Sequence, residues 1–208
     1  MSDPSPPADE TPSELERDYL RRRLEFQPWL AARAEEEERR EQEEVQRILV
    51  RHAGAKIGKG CFVSALANIF TDRLVLGDRS WIAAGAILRG IIRIGSQSTV
   101  NPYAHLAGRV TIGSGVRIAS GVALYGFNHG TSRLDQPIHR QPRTSDGIVI
   151  GDGSWIGANS MIVDGVAIGQ HCIVAGGAVV TASFPDYSVV GGNPARLIRN
   201  RQQEESAG

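Results

Sequence analysis

Aliphatic residues recur every six positions along most of the chain: Ile57, Val63 and Ile69, then, after one extra residue, Leu76, Ile82, Leu88, Ile94, Val100, Leu106, Ile112, Ile118 and Leu124. The register stops for residues 125–149 and resumes at Ile150, Ile156, Ile162, Ile168, Val174 and Val180, giving eighteen hexads. Six residues are too few for a helical repeat and too many for simple strand alternation, but they suit a short strand followed by a corner. Glycine often follows the aliphatic (58, 77, 95, 113, 151, 157, 169), where its conformational freedom suits a turn. The residue four after the aliphatic is usually small or β-branched, as at Cys61, Ser80, Ala86, Ser98, Cys172 and Ala178. Three hexads close one triangular coil. The pattern therefore predicts an all-β parallel β-helix of about six coils, roughly 29 Å tall at the ~4.8 Å spacing of neighbouring strands.

The segment before the repeat follows a different pattern. Residues 1–12 carry four prolines among small and acidic residues and are expected to be disordered. Residues 13–52 read as a charged helical extension, with Ser13 as a cap and Leu15, Tyr19 and Leu24 near one face. Pro28 should interrupt the helix before Trp29. The following run, Glu35 to Glu44, can support a helix through i to i+4 ion pairs but has no apolar face, so it is expected to be solvated or loosely docked. The repeat domain then occupies residues 53–200, with an excursion at 125–149 and a tail at 201–208.

Composition narrows the function classes. The net charge is zero, yet residues 1–50 hold 14 acids and 8 bases while residues 51–208 hold 9 acids and 15 bases. So mildly basic a body, without a polybasic stripe, argues against nucleic acid and suits a small polyanion. Cys61 and Cys172 form no metal or redox spacing, which fits a reducing compartment. No run long enough to cross a membrane and no signal-like start is read, so the expected location is cytoplasmic.

The stretch Ile150 to Ala178, IGDGSWIGANSMIVDGVAIGQHCIVAGGA, followed by GGNPARLIR at Gly191 to Arg199, resembles the hexapeptide-repeat acyltransferases, in particular the galactoside and maltose O-acetyltransferase branch. That resemblance covers about residues 76–199 and implies a left-handed coil, a homotrimer and acetyl-CoA as co-substrate, with no metal. It implies a groove between adjacent subunits as the site, and a sugar or similar small acceptor. Interruptions of a repeat are where functional groups tend to be mounted. In the excursion, YGFNHGTSRLDQPIHRQPRTSDGIV, His129 matches the family's catalytic histidine, and an imidazole suits removal of a hydroxyl proton near neutral pH.

The same resemblance places Ala158 at a backbone oxyanion donor, with Trp155 lining the donor or acceptor channel. It puts Gly176 and Thr181 beside the pantetheine arm and Arg196 and Arg199 on its phosphates. Relatives often carry a lysine where Ala182 stands, so one donor-binding cation is missing. Asn101, Arg89 and Asn128 are the acceptor-side candidates. His139 is a less favoured base, and His52, His105 and His171 read as solvated side chains. Two other readings share the fold: a γ-carbonic-anhydrase-like zinc hydratase, against which the 24- and 10-residue histidine spacings argue, and a non-catalytic trimeric scaffold.

Overall fold

The computed structural model describes residues 13–205; the prolines of residues 1–12, expected to be disordered, lie outside the described residues. Helix α1 (Glu14–Phe26) is capped by the Ser13 hydroxyl, which accepts from the Glu16 amide at 3.2 Å. A 3-10 turn at Pro28–Arg33 leads to helix α2 (Glu36–His52), whose start carries a reciprocal Glu35–Glu38 capping box.

From Ala55 the chain winds into a parallel β-helix with three faces. On the first, Ile57, Leu76, Ile94, Ile112, Ile150 and Ile168 pair in succession and Phe184 bridges the last. On the second the column runs Val63, Ile82, Val100, Ile118, Ile156, Val174 and Val190. On the third it is Ile69, Leu88, Leu106, Leu124, Ile162 and Val180. All eighteen aliphatics of the repeat thus point to the axis, and nearly all are fully buried. Phe184 and Val190 add a rung beyond the six coils expected. The hexad count misses it because this last coil is shorter: Phe184 stands sixteen residues after its partner Ile168, where eighteen is the rule. The extra residue before Leu76 is a bulge between Thr71 and Arg73.

The glycine that follows the aliphatic is not the turning residue. Turning falls two positions later, where Gly60, Arg79, Gln97, Gly115, Gly153 and His171 all have positive φ. The earlier glycines are needed for space instead: a Cβ on Gly77 would lie 2.5 Å from the Ser96 nitrogen of the next coil. One position further on, a polar ladder climbs the first corner. The Ser80, Ser98 and Ser154 hydroxyls donate to the carbonyls of Gly95, Gly113 and Gly169 at 2.7, 2.8 and 2.9 Å. Cys61 and Cys172 take the same rank, their thiols donating to Gly77 and Pro185 at 3.1 and 3.2 Å, and burial pushes both thiols up.

Helix α2 is docked rather than solvated. The Gln42 amide donates to the Val63 carbonyl at 2.9 Å and accepts from the Val63 amide at 2.8 Å, while Gln46 donates to Cys61 at 3.0 Å. Leu49 is buried against the first coil. The helix therefore covers the open edge of the solenoid with side-chain amides, satisfying backbone groups that would otherwise template another strand. At the opposite end Ser188–Gly192 pairs antiparallel with Ala195–Asn200 through a cis Asn193–Pro194 turn.

Candidate active site

The excursion begins where the third face ends. Glycines 90, 108 and 126 stack at that edge. Beyond Gly126 the chain leaves the prism, and it returns at Ile148, which pairs with Val110. Ile112 is followed in its column by Ile150, 38 residues on instead of 18, so the excursion inserts twenty residues into one coil. Asn128 and Thr144 close its neck with two backbone hydrogen bonds of 2.8 and 3.0 Å. Inside it the buried Gln141 side chain accepts from the Arg133 amide at 3.0 Å and donates to the Arg133 carbonyl at 2.8 Å. Ser145 donates to the Gly126 carbonyl at 2.6 Å.

This bracing fixes the base candidate. His129 sits next to the Asn128 bridge, exposed, with the Phe127 ring edge-on at 5.8 Å. Gly130 must be glycine because a Cβ there would meet the Pro142 carbonyl oxygen at 2.6 Å. His139 lies exposed on the short 3-10 turn Ile138–Arg140.

A second group of candidates lines the edge between the second and third faces. There Asn101, Ala119, Gly157 and Ala175 stack, each amide bonded to the coil above. The residues that follow these four are Pro102, which has no N–H, Ser120, Ala158 and Gly176. One coil lower, α1 takes up the corresponding amide: Ala84 donates to the Glu25 carbonyl at 2.9 Å. The buried Glu25 carboxyl accepts from Ser64 and from the amides of Ala65 and Leu66; burial pushes its pKa up despite those donors. Higher up, the amides of Ser120, Ala158 and Gly176 have no acceptor among the described residues. Ala158 and Gly176 lie one above the other, and a Cβ on Gly176 would stand 3.2 Å from the Ala158 carbonyl oxygen. Trp155 is beside them, 52% exposed, between Arg117 and Ile173 on the second face. The Asn101 amide donates to the Ile118 carbonyl at 2.8 Å, so its NH2 group serves the coil.

The remaining candidates lie elsewhere. Thr181 and Ala182 are exposed at the upper end of the third face. Arg196 and Arg199 are exposed on the terminal antiparallel strand that extends the second face. Arg89 is on the third face. There sequence reading missed its partners: His105 is half-buried rather than solvated, with Nε2 3.2 Å from Arg89 Nη2 and Nδ1 3.3 Å from the Tyr125 hydroxyl. The signal was present, since each flanks a core leucine on one face, but it becomes visible only when residues 16 and 20 apart are laid side by side. His171 is likewise partnered, stacked on Tyr187 at 5.4 Å.

Burial, and secondarily the Arg89 charge, hold the His105 imidazolium below the usual histidine range. Between that lowered value and about 6.5 the unfolded chain binds the extra proton and the folded one does not. Stability contributed by neutral His105 is therefore present above about pH 6.5 and lost as pH falls through that window. Arg89→Gln should raise the His105 pKa, as read by imidazole NMR titration.

A single prism does not bring all candidates together. Ala158 lies in the turn before the strand Met161–Val163, and Val163 at the far end of that strand is the register partner of Tyr125. The excursion that carries His129 springs from one edge and the free amides occupy another. Among the described residues no cluster of three or more His, Cys, Asp or Glu side chains is placed to hold a metal.

Comparisons with known proteins agree with this architecture. Residues 91–126 and 147–182 match the family described as bacterial transferase hexapeptide (six repeats). The chain is 35% identical over 125 residues to WbbJ of Escherichia coli K12, a putative lipopolysaccharide biosynthesis O-acetyl transferase, covering 56% of this chain and 64% of WbbJ. It is 30% identical over 159 residues to WcaF of the same organism, a putative colanic acid biosynthesis acetyltransferase, covering 76% of each. Several curated relatives are matched over only half to two thirds of their length. Among solved structures, AntD, an N-acyltransferase from Bacillus cereus in complex with dTDP and 3-hydroxybutyryl-CoA, superposes with a TM-score of 0.68 over 80% of this chain and 91% of that one. At 24% identity that likeness speaks for the fold.

Proposed function

The chain belongs to the hexapeptide-repeat transferases, and from that premise we propose that it moves an acetyl group from acetyl-CoA to a hydroxyl of a sugar or similar small acceptor. The observation that carries this reading is the amide of Ala158, without an acceptor among the described residues and stacked beneath that of Gly176 on one edge, with a braced histidine mounted on the excursion at a neighbouring edge.

His129 takes the proton from the acceptor hydroxyl, and the oxygen attacks the thioester carbonyl carbon. The electron pair of the carbonyl moves onto its oxygen, where the Ala158 amide donates to it. Collapse breaks the carbon–sulfur bond, and the imidazolium returns its proton to the leaving thiolate, giving the acetyl ester and coenzyme A. Thr181 beside the pantetheine arm and Arg196 and Arg199 on the phosphates complete the donor site, with Trp155 as a wall. Ala182 offers no charge there, so affinity for the donor is expected to be modest. Because the loop and the amides occupy different edges, the site is completed between two copies, which a closed threefold assembly provides three times over.

The names of WbbJ and WcaF support an acetyl donor and a saccharide-type acceptor, and WbbJ's supports oxygen over nitrogen. The Ile150–Ala178 likeness to galactoside and maltose enzymes supports the same. No helix among the described residues is long and apolar enough to cross a membrane, and a cytoplasmic location is part of the proposal. The test is calorimetric titration with coenzyme A together with a screen of hydroxyl and amine acceptors for thiol release from acetyl-CoA. Binding with turnover on hydroxyl acceptors is expected; absence of coenzyme A binding would leave the scaffold reading.

A further inference from the structure

The outward surface of the third face carries one polar row that the transfer chemistry above leaves unused. In register, Phe70, Arg89, Ala107, Tyr125 and Val163 form one outer column, and Asn68, Ile87, His105, Ala123, Met161 and Val179 the other. His105 bridges the columns, hydrogen-bonded through both ring nitrogens.

Hydrogen-bond logic fixes the direction of this row. A guanidinium can only donate, so Nε2 of His105 must accept from Arg89 and cannot carry a proton. The ring proton is then on Nδ1, which donates to the Tyr125 oxygen. The phenolic hydrogen is thereby turned away from the imidazole, and the row ends in an uncommitted O–H donor. At its other end Arg89 has spent one of five N–H groups on a neutral ring. No carboxylate forms an ion pair with Arg89 among the described residues. Its register neighbours, Phe70 and Ala107, are apolar and carry no anion to compete for its charge.

An anion laid across this row would meet a cation at one end and a hydroxyl donor at the other, held in line by the histidine between them. Charge-assisted hydrogen bonds of this kind are the strong ones, and a planar guanidinium matches phosphate and carboxylate oxygens. The row also has a useful address. Tyr125 is four residues before His129, on the strand that feeds the excursion, so a group held there lies at the root of the loop that bears the base.

We infer that Arg89, His105 and Tyr125 form an oxyanion-recognition site that selects acceptors bearing a phosphate or carboxylate beside the hydroxyl to be acetylated. This rests on the acyl-transfer reading for its purpose, but not for its existence as an anion site.

Two measurements test it separately. In the first, the His105 imidazole signals are followed by NMR while inorganic phosphate, and in a second arm acetate, is added to the full-length protein. A saturable shift in the wild type that is lost in Arg89→Gln is expected; no saturable shift with either anion would overturn the site. In the second, acetyl transfer is compared on glucose 1-phosphate, glucuronate and methyl glucoside, which separates the phosphate source from the carboxylate source. The charged acceptor should lose its advantage in Arg89→Gln through a KM raised about tenfold or more, with KM for acetyl-CoA unchanged. Tyr125→Phe, which keeps the ring and its packing, should lose part of the same preference. Equal rises in KM for charged and neutral acceptors would assign the row a merely structural part and overturn the inference. A wild type that binds phosphate at His105 but transfers no acetyl group would uphold the anion site and refute the function proposed above.

Discussion

Replacing His129 by alanine should lower kcat/KM for acetyl transfer by about a thousandfold, while the variant remains folded and binds coenzyme A as the wild type does. The magnitude follows from what a positioned general base supplies, roughly 10²- to 10⁴-fold, or about 3 to 5 kcal/mol of barrier. Folding should be unaffected because the ring is exposed, and the neck is held by backbone bonds between Asn128 and Thr144 rather than by the imidazole. Residual turnover above background is expected, since the Ala158 amide would still stabilise the oxyanion. His139→Ala is the matched control. It lies on the same excursion, equally exposed, and should change kcat/KM less than about threefold. Steady-state kinetics with thiol detection would check both. Wild-type turnover in the His129 variant would remove that residue from the mechanism.

The largest stability effect from a single methyl group is expected at the glycine stack where the excursion departs. Gly108 has φ of +85°, and a Cβ there would lie 2.4 Å from the Gly126 carbonyl oxygen. Gly177 also has positive φ, +71°, but a Cβ on it meets nothing within 4 Å. Alanine at Gly177 should therefore suffer only the left-handed penalty, about 1 kcal/mol. At Gly108 the same penalty is joined by a backbone collision that the next coil cannot relieve without moving Gly126, where the excursion that carries His129 departs. We expect a loss of about 3 kcal/mol or more, and a fall in turnover as the root shifts. Chemical denaturation of the two variants beside the wild type would measure the difference. Equal losses would mean that the coils can part more readily at that edge than close-packed backbone allows.

How legible this molecule is in its sequence depends on the separation between interacting residues. The hexads are legible because the eighteen axial aliphatics from Ile57 to Val180 repeat one short-range rule, and the coil needs little more. His129 is marked out by its place in the excursion and by the resemblance to the hexapeptide-repeat acyltransferases rather than by the repeat itself. The docking of α2 did not, since a helix rich in Glu and Arg has no apolar stripe, and its attachment runs through Gln42 and Gln46 to backbone atoms that no side-chain pattern reveals. The row of Arg89, His105 and Tyr125 was hidden for a different reason. Each looks like an ordinary outward residue in its own hexad, and only stacking of successive coils makes them neighbours. The free amides at Ser120, Ala158 and Gly176 belong to the backbone, which has no sequence signature beyond the corner that exposes it.

The central claim is that the base of one subunit serves the amides of another, and subunit complementation tests it most directly. His129→Ala lacks the base. Gly176→Phe, whose side chain would project from an exposed position beside the Ala158 carbonyl, blocks the donor edge. Alone, each should fall far below wild type, His129→Ala to about a thousandth of its turnover. Co-refolded in equal amounts, the two should regain about a quarter of wild-type activity, because random assembly places an intact loop against an intact edge at one site in four. If the mixture stays as inactive as its components, the loop and the amides serve one another within a single chain, or not at all, and the account fails.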